Sequence, residues 1–317
     1  MKTVNLLFSG GRTSAYMVEK VLLAKTKGHY PTFDFVITFA NTGREHNKTL
    51  EFVDNCDNRW KELYDHRVVW LEAVVHQGRV PCSHKIVDYD SADREGNVFA
   101  DMVAKYGLPN GTFLHCTREL KENPIMNYME SLGERIGHIV KGELVVATYD
   151  TWIGIRIDEP RRLKGDRLGK QSKIYPLAEN VHKYDIDDTD IRVMKYEVLD
   201  FWEEMPFDLE IPEHQGNCVD CHKKSNKKLA LVYSETPKVF NFTAYLDNQY
   251  SEVKAQVLEG KLIERKRFRG YKNTEELIAS FDLSEHNPKD YSEESGGCSE
   301  SCEAFMDLNE AESETIL

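Results

Sequence analysis

Nowhere in the 317 residues does an apolar run approach the roughly 18–20 residues that a membrane span requires. The N-terminus also lacks the basic region, apolar core and cleavage site of a secretory signal, so a cytoplasmic protein with no membrane partner is expected. Positive charge is in deficit: 41 Lys and Arg stand against 54 Asp and Glu, a formal net charge of −13. That balance argues against broad, non-specific attraction to nucleic-acid backbones, which relies on clustered cations releasing counterions. Local basic groups remain, at Arg156, Arg161, Arg162, Lys164 and Arg167, at Lys223, Lys224, Lys227 and Lys228, and at Arg265, Lys266, Arg267 and Arg269. Each group suits either phosphate binding or simple solvation. Cysteine is sparse and odd in number, seven in all with one close CxxC pair, which suits metal or redox chemistry in a reducing compartment better than a disulfide framework. No internal repeat is present.

What is there is enough apolar material, 40% of the residues, to bury the core of one domain of about 200–250 residues plus an appendage, or of two smaller domains. Thr3 to Phe8 reads as a strand, followed by a glycine turn and a helix-compatible stretch from Thr13 to Ala24. Phe33 to Phe39 reads as a second strand running into Asn41-Thr42-Gly43, with helical spacing from Lys48 to Tyr64 and a third strand at Arg67 to Ala73. Alternation of this kind implies crossover connections, hence a largely parallel sheet with helices on both faces. Helices are expected at Glu95–Lys105, Asn123–Ile136 and Asp187–Glu204. A buried strand is expected at Leu144–Thr148, opening at its carboxyl end into the charged segment Trp152 to Arg162, where open α/β sheets bind ligands. Residues 282–317 are rich in Ser, Glu, Asp and Gly and are expected to form a flexible acidic tail.

The turn Ser9-Gly10-Gly11-Arg12-Thr13-Ser14 stands between a strand and a helix, so backbone N–H groups and the helix N-terminus can converge on an anion. Its paired glycines let the backbone approach phosphate oxygens with no Cβ in the way. The plain alternative is a strand-to-helix connector. Arg156, Arg161 and Arg162 match phosphate or sulfate oxygens bidentately. Trp152 suits either stacking on a base or a place in the core. Glu45, His46, Asp158 and Glu159 are acid–base or metal-binding candidates, or else solvated loop residues.

Ser9 to Ser14 resembles the SGGxDS loop of PP-loop ATP pyrophosphatases and PAPS reductase-like proteins. Phe39 to Val53 resembles that superfamily's second-strand motif, Gly154 to Arg162 its GxRxxES-type loop, and Ile174 to Leu177 its IYPL segment. With Cys116 to Lys121 and the CxxC at Cys218, the likeness runs in family order over roughly the first 230 residues. It implies a Rossmann-like, adenine nucleotide alpha-hydrolase-like α/β fold at 1–230, followed by an extension at 231–281. It also implies nucleotide contacts from Ser9, Gly10, Gly11, Arg12, Thr13, Ser14, Asn41, Thr42, Gly43, Arg156, Arg161 and Arg162. Thr13 stands where the superfamily usually has Asp, so a catalytic or magnesium-binding carboxylate does not carry over to that position.

The resemblance extends to the cysteines. In adenylyl sulfate (APS) reductases a Cys-Cys pair and a distant CxxC hold a 4Fe-4S cluster, which implies Cys116, Cys218 and Cys221 as ligands here. Cys82 is the candidate fourth, with His115 and His222 behind it. Zinc held by the same residues is the competing reading. Cys56 is expected to be core packing. The superfamily's reductases end in a nucleophilic tail cysteine within an ECGLH-like motif, which this chain lacks. Cys298 and Cys302 are the weak catalytic candidates in its place, set among acidic neighbours that raise thiol pKa values.

Three functions are compatible with these residues. The first is reduction of APS or PAPS to sulfite with a thiol electron donor. The second is ATP-dependent sulfur transfer, with magnesium accompanying ATP and a sulfur donor, onto a small molecule or onto a nucleic acid met by Lys223 to Lys228. The third is nucleotide binding without turnover. A homo-oligomer is left open.

Overall fold

The computed structural model describes residues 1–140, 143–163, 172–178, 192–283 and 304–305. Strands β1 (Lys2–Leu7), β2 (Phe33–Ala40) and β3 (Val68–Val74) alternate with helices α1 (Arg12–Thr26) and α2 (Asn47–Tyr64). β4 (Ser83–Val87), α3 (Asn97–Tyr106), the short turn α4 (His115–Thr117), a π-helical turn at Arg118–Glu122 and α5 (Asn123–Ser131) follow. A small antiparallel pair, β5 (His138–Val140) and β6 (Glu143–Val145), precedes β7 (Asp150–Ile153) and β8 (Ser172–Ile174). The order β4-β3-β2-β1-β7-β8 forms one six-stranded sheet, parallel throughout except for β4 at its edge. This is an α/β architecture that fits a Rossmann-like arrangement. The chain winds one way from β1 to β3 and the other way from β7 to β8. The switch point therefore lies between β1 and β7, and open sheets bind ligands beyond the carboxyl ends of such strands.

Alternation along each strand sends side chains to two cores. Val4, Leu6 and Phe8 meet Ile37, Phe39, Phe52, Trp60 and Trp202 beneath α1, α2 and α6 (Lys195–Glu203). Leu7, Ala40 and Ile153 face the other way, onto Ile125 and Met129 of α5. Helices thus cover both faces, as the alternating pattern implies.

The expected strand at Leu144–Thr148 is displaced. The sheet instead takes Asp150–Ile153, and Val146 is 67% exposed. Trp152 belongs to the core rather than to a ligand: it is fully buried among Tyr30, Phe33 and Phe35. The Gly154 to Arg162 segment still leaves the carboxyl end of the strand, so the expected place of the charged loop is kept.

The C-terminal part consists of α7 (Asn226–Glu235), α8 (Phe240–Tyr250), the hairpin β9 (Gln256–Leu258) and β10 (Lys261–Ile263), and α9 (Thr274–Ala279). The boundary drawn after residue 230 falls inside α7. This part also shares cores with what precedes it, Leu246 packing with α3 and Val219 of the CxxC turn packing with Leu229, Phe240 and Phe268. Among the described residues no helix is long and apolar enough to cross a membrane.

Candidate functional site

The Ser9–Ser14 turn leaves β1 at the switch point. Gly11 is the N-cap of α1 and supplies no side-chain cap, and the first turn carries no acidic residue. The leading N–H groups of a helix have no partner within the helix, so this end is chemically suited to an anion. The turn is braced internally. Ser9 N donates to Ser14 Oγ at 3.1 Å, Ser14 Oγ donates to the Gly11 carbonyl at 3.0 Å, and the two hydroxyls lie 2.9 Å apart.

The two glycines do different work, which the sequence alone does not reveal. Gly10 has φ +79°, and a Cβ there would meet Thr49 Cγ2 at 2.9 Å and Phe39 Cε2 at 3.2 Å, pointing into the core rather than toward a ligand. A Cβ on Gly11 would touch only Ser9 Oγ, at 3.7 Å, so Gly11 faces the open mouth of the turn. Gly154 matters equally. A Cβ there would lie 2.8 Å from Ser14 Cα, so glycine is what allows the exit of β7 to pass against the first turn of α1.

That close approach brings Arg156 onto the turn. Arg156 is buried, donates from Nη1 to Thr13 Oγ1 at 3.0 Å and from Nε to Asp158 at 2.8 Å, and has Glu159 at 3.4 Å. The position where the resembled loop carries Asp is thus filled by a Thr13, Arg156, Asp158 chain. Arg162 pairs with Glu159, and Arg161 is exposed on the same short helical turn. Arg12 is engaged elsewhere: it holds Asp208 through two 2.7 Å bonds and also donates to the Leu209 carbonyl. Its guanidinium ties the segment after α6 to the turn.

Asn41, Thr42 and Gly43 follow β2. Asn41 is fully buried and donates to Glu72 at 2.7 Å and to the Asp93 carbonyl at 2.9 Å, while Gly43 N donates to Asn41 Oδ1 at 3.1 Å. Thr42 donates to the Glu45 carboxylate at 2.9 Å. Its hydroxyl lies 3.4 Å from Cys218 Sγ, and Glu45 bridges to Cys218 through the backbone. The CxxC turn therefore packs directly on the loop after β2. His46 caps α2, accepting from Lys48 N at 3.1 Å.

Cys218 and Cys221 lie together, both buried. Burial pushes the Cys218 thiol up to about 12, Glu45 adds to the rise and Lys121 opposes it. The Cys116 thiol is raised by burial and by Cys221, against Lys223, Arg267 and Lys121. Cys116 thus feels the charge of Cys221, but it packs against the core beside α3 that also holds Cys82. Burial, then Glu119, raise the Cys82 thiol to about 12, and its N–H donates to Glu119 at 3.2 Å. Cys56 lies in the core, as expected. His115 stacks between Tyr106 and Phe113, and His222 is buried with Nε2 unpartnered. Among the described residues no group of three or more His, Cys, Asp or Glu side chains is arranged to hold a metal ion. Cys298 and Cys302 lie outside the described residues.

No family model matches the chain. Over 326 aligned positions it is 30% identical to the uncharacterized nin region protein ORF290 of Escherichia phage lambda, the match covering 94% of this chain and 93% of that one. The chain belongs to the family of that phage protein. No solved structure matches. The relationship spans both chains almost end to end, rather than resting on a single motif.

Sequence reasoning missed the network behind the CxxC turn. Asp220 is fully buried between Arg44, at 2.9 Å, and Arg267, at 3.8 Å. Burial opposes its charge, yet the two guanidinium groups hold its carboxyl below the ordinary range. A charged residue between two cysteines, with Arg267 in a basic group far along the chain, was the available signal.

Proposed function

We propose that this chain is an adenine-nucleotide enzyme of sulfur metabolism, of the PAPS reductase and PP-loop ATP pyrophosphatase type, reducing APS or PAPS to sulfite. Two contacts at the carboxyl ends of neighbouring strands carry this reading: Arg156 on Thr13 of the Ser9–Ser14 turn that follows β1, and Cys218 Sγ 3.4 Å from Thr42 Oγ1 in the loop that follows β2. A turn suited to an anion after one strand and a buried thiol on the loop after the next are what sulfur chemistry on a nucleotide needs. In this reading the N-terminus of α1 and the Ser9 hydroxyl hold phosphate oxygens, and Ser14, bonded to the Gly11 carbonyl, braces the turn. Arg156, paired with Asp158 and Glu159, fixes Thr13 in the turn. Gly11 keeps the mouth of the turn free for the ligand backbone to approach.

An iron–sulfur cluster would be held by Cys116, Cys218 and Cys221, and it would supply electrons or sulfide. Zinc would take the same thiolates as a structural ion. The donor chemistry fits either group: soft thiols, raised pKa values that release protons only when a cation binds, and surrounding cations to offset the anionic centre. Cys82, which shares an apolar cluster with Cys116, would be the fourth ligand.

The second reading is ATP-dependent sulfur transfer, with magnesium accompanying ATP. The nearness of Cys218 to Thr42 favours it, since resident thiols already reach the loop after β2. Anaerobically purified protein incubated with excess dithiol and APS or PAPS, or with MgATP, distinguishes the readings. Sulfite release from APS or PAPS supports reduction, and pyrophosphate release from ATP supports transfer. Tight binding with no turnover of any of the three leaves a nucleotide-binding protein, and no binding at all contradicts the site.

A further inference from the structure

Of the expected acidic tail, residues 284–303 and 306–317 lie outside the described residues, while Ala304 and Phe305 are described. Ala304 and Phe305 are buried, 3% and 2% exposed, in the core built from Leu7, Ala40, Ile153, Ile155 and Tyr175. Leu7 and Ala40 lie just upstream of the Ser9–Ser14 turn and the loop after β2. Ile153 and Ile155 flank Gly154. Phe305 N also donates to Glu122 Oε1 at 2.8 Å, and Phe305 adopts φ +66°, a backbone state that a bulky residue takes only when its surroundings hold it there. Two residues isolated within a polar, acidic stretch are thus seated at the carboxyl edge of the sheet, beside the switch point.

We propose that Phe305 occupies the place of the nucleotide base, so that this one side chain is a competing, autoinhibitory occupant of the site. This inference rests on the nucleotide reading given above. The chemical match lies in two shared features. Phe305 offers a flat ring and an N–H donor, and adenine offers a flat ring and an exocyclic amino donor; Glu122 accepts in both cases, within the same apolar walls. Burial raises the Glu122 carboxyl pKa above the ordinary range, against the N–H of Phe305 and Lys173. Nucleotide entry then requires Phe305 to leave.

MgATP titrated into the full-length chain and into its Phe305→Ala and Phe305→Asp variants tests this. An anchor seated about nine-tenths of the time leaves about one-tenth of the molecules competent, so its removal tightens apparent ATP affinity about tenfold. In the unsubstituted chain the Phe305 amide should be protected from hydrogen exchange without ATP and exchange faster at saturating ATP. Equal or weaker ATP binding by both variants, or Phe305 protection unchanged by bound ATP, overturns the inference alone. Failure of all three chains to bind ATP, APS and PAPS overturns the nucleotide reading itself.

Discussion

Gly154→Ala is the substitution in which local geometry and function are most tightly joined. An added Cβ would sit 2.8 Å from Ser14 Cα, 3.1 Å from Ser14 N and 3.1 Å from the Thr13 carbonyl oxygen. All three are backbone atoms of the first turn of α1, which cannot swing aside as a side chain can. Carbon atoms settle about 3.5–4.0 Å apart, so the exit of β7 and the turn must separate by about 0.7–1.2 Å. Overpacking of this kind costs about 1–3 kcal/mol of stability. The same displacement carries Arg156 away from Thr13, and a misplacement of about 1 Å costs on the order of 100-fold in turnover. Urea unfolding reads the loss of stability, nucleotide titration the loss of affinity, and sulfite release from APS or PAPS the loss of turnover. Gly11→Ala is the control, because its Cβ would meet only Ser9 Oγ at 3.7 Å. It should cost less than about 1 kcal/mol as an N-cap change, while its methyl in the mouth of the turn weakens nucleotide binding. A Gly154→Ala protein with the parent's stability and affinity would refute the reasoning.

Asp208→Asn should remove about 1 kcal/mol or less, since the Arg12 pair is partly exposed, and should leave nucleotide affinity within about twofold; a large affinity loss in titration would return Arg12 to the binding residues. Asp220→Asn leaves Arg44 and Arg267 buried without their carboxylate and should cost about 3–5 kcal/mol in denaturant unfolding. Burial, then Arg118 and Arg265, depress His115 to about 4 from its ordinary 6.5. The unfolded chain therefore binds the extra proton first, and stability is lost as pH falls from about 6.5 toward 4. At about 1.4 kcal/mol per unit the limit is about 3 kcal/mol, and solvent access to the ring brings it nearer 2. Thermal melts of the parent and of His115→Asn should diverge across that range and agree above pH 7. Cys218 in metal-free protein should be alkylated far more slowly at pH 8 than an exposed thiol, because burial holds it protonated; mass-spectrometric alkylation rates check this.

The first half of the sheet is legible because its chemistry is local. Val4 to Phe8 is apolar, the double glycine follows at once, and α1 and α2 carry regular apolar spacing. The fourth parallel strand is not, because hydropathy misleads twice. Leu144 and Val145 look like sheet but pair in a small hairpin. β7 begins with Asp150, a fully buried carboxylate whose Oδ2 lies 2.6 Å from Lys2 Nζ, so the true strand is disguised by an ion pair formed 148 positions away in the chain. β4 is hidden for the opposite reason: an edge strand exposes half its side chains, Ile86 at 62%, and reads as loop. At the candidate site, Arg156 lies on Thr13 of the Ser9–Ser14 turn, and the loop after β2 meets the CxxC turn. The pairing of Arg12 with Asp208, the packing of Cys82 and Cys116 against one cluster and the burial of Phe305 are long-range outcomes. No local pattern encodes them.

The central claim is that an adenine nucleotide binds where these loops meet, and photolabelling with 8-azido-ATP followed by peptide mapping tests it most directly. The account predicts adducts within the peptides bearing Ser9–Ser14, Ala40–Glu45 or Gly154–Arg162, suppressed by excess ATP. Adducts confined to other peptides, or labelling that excess ATP does not suppress, would contradict it.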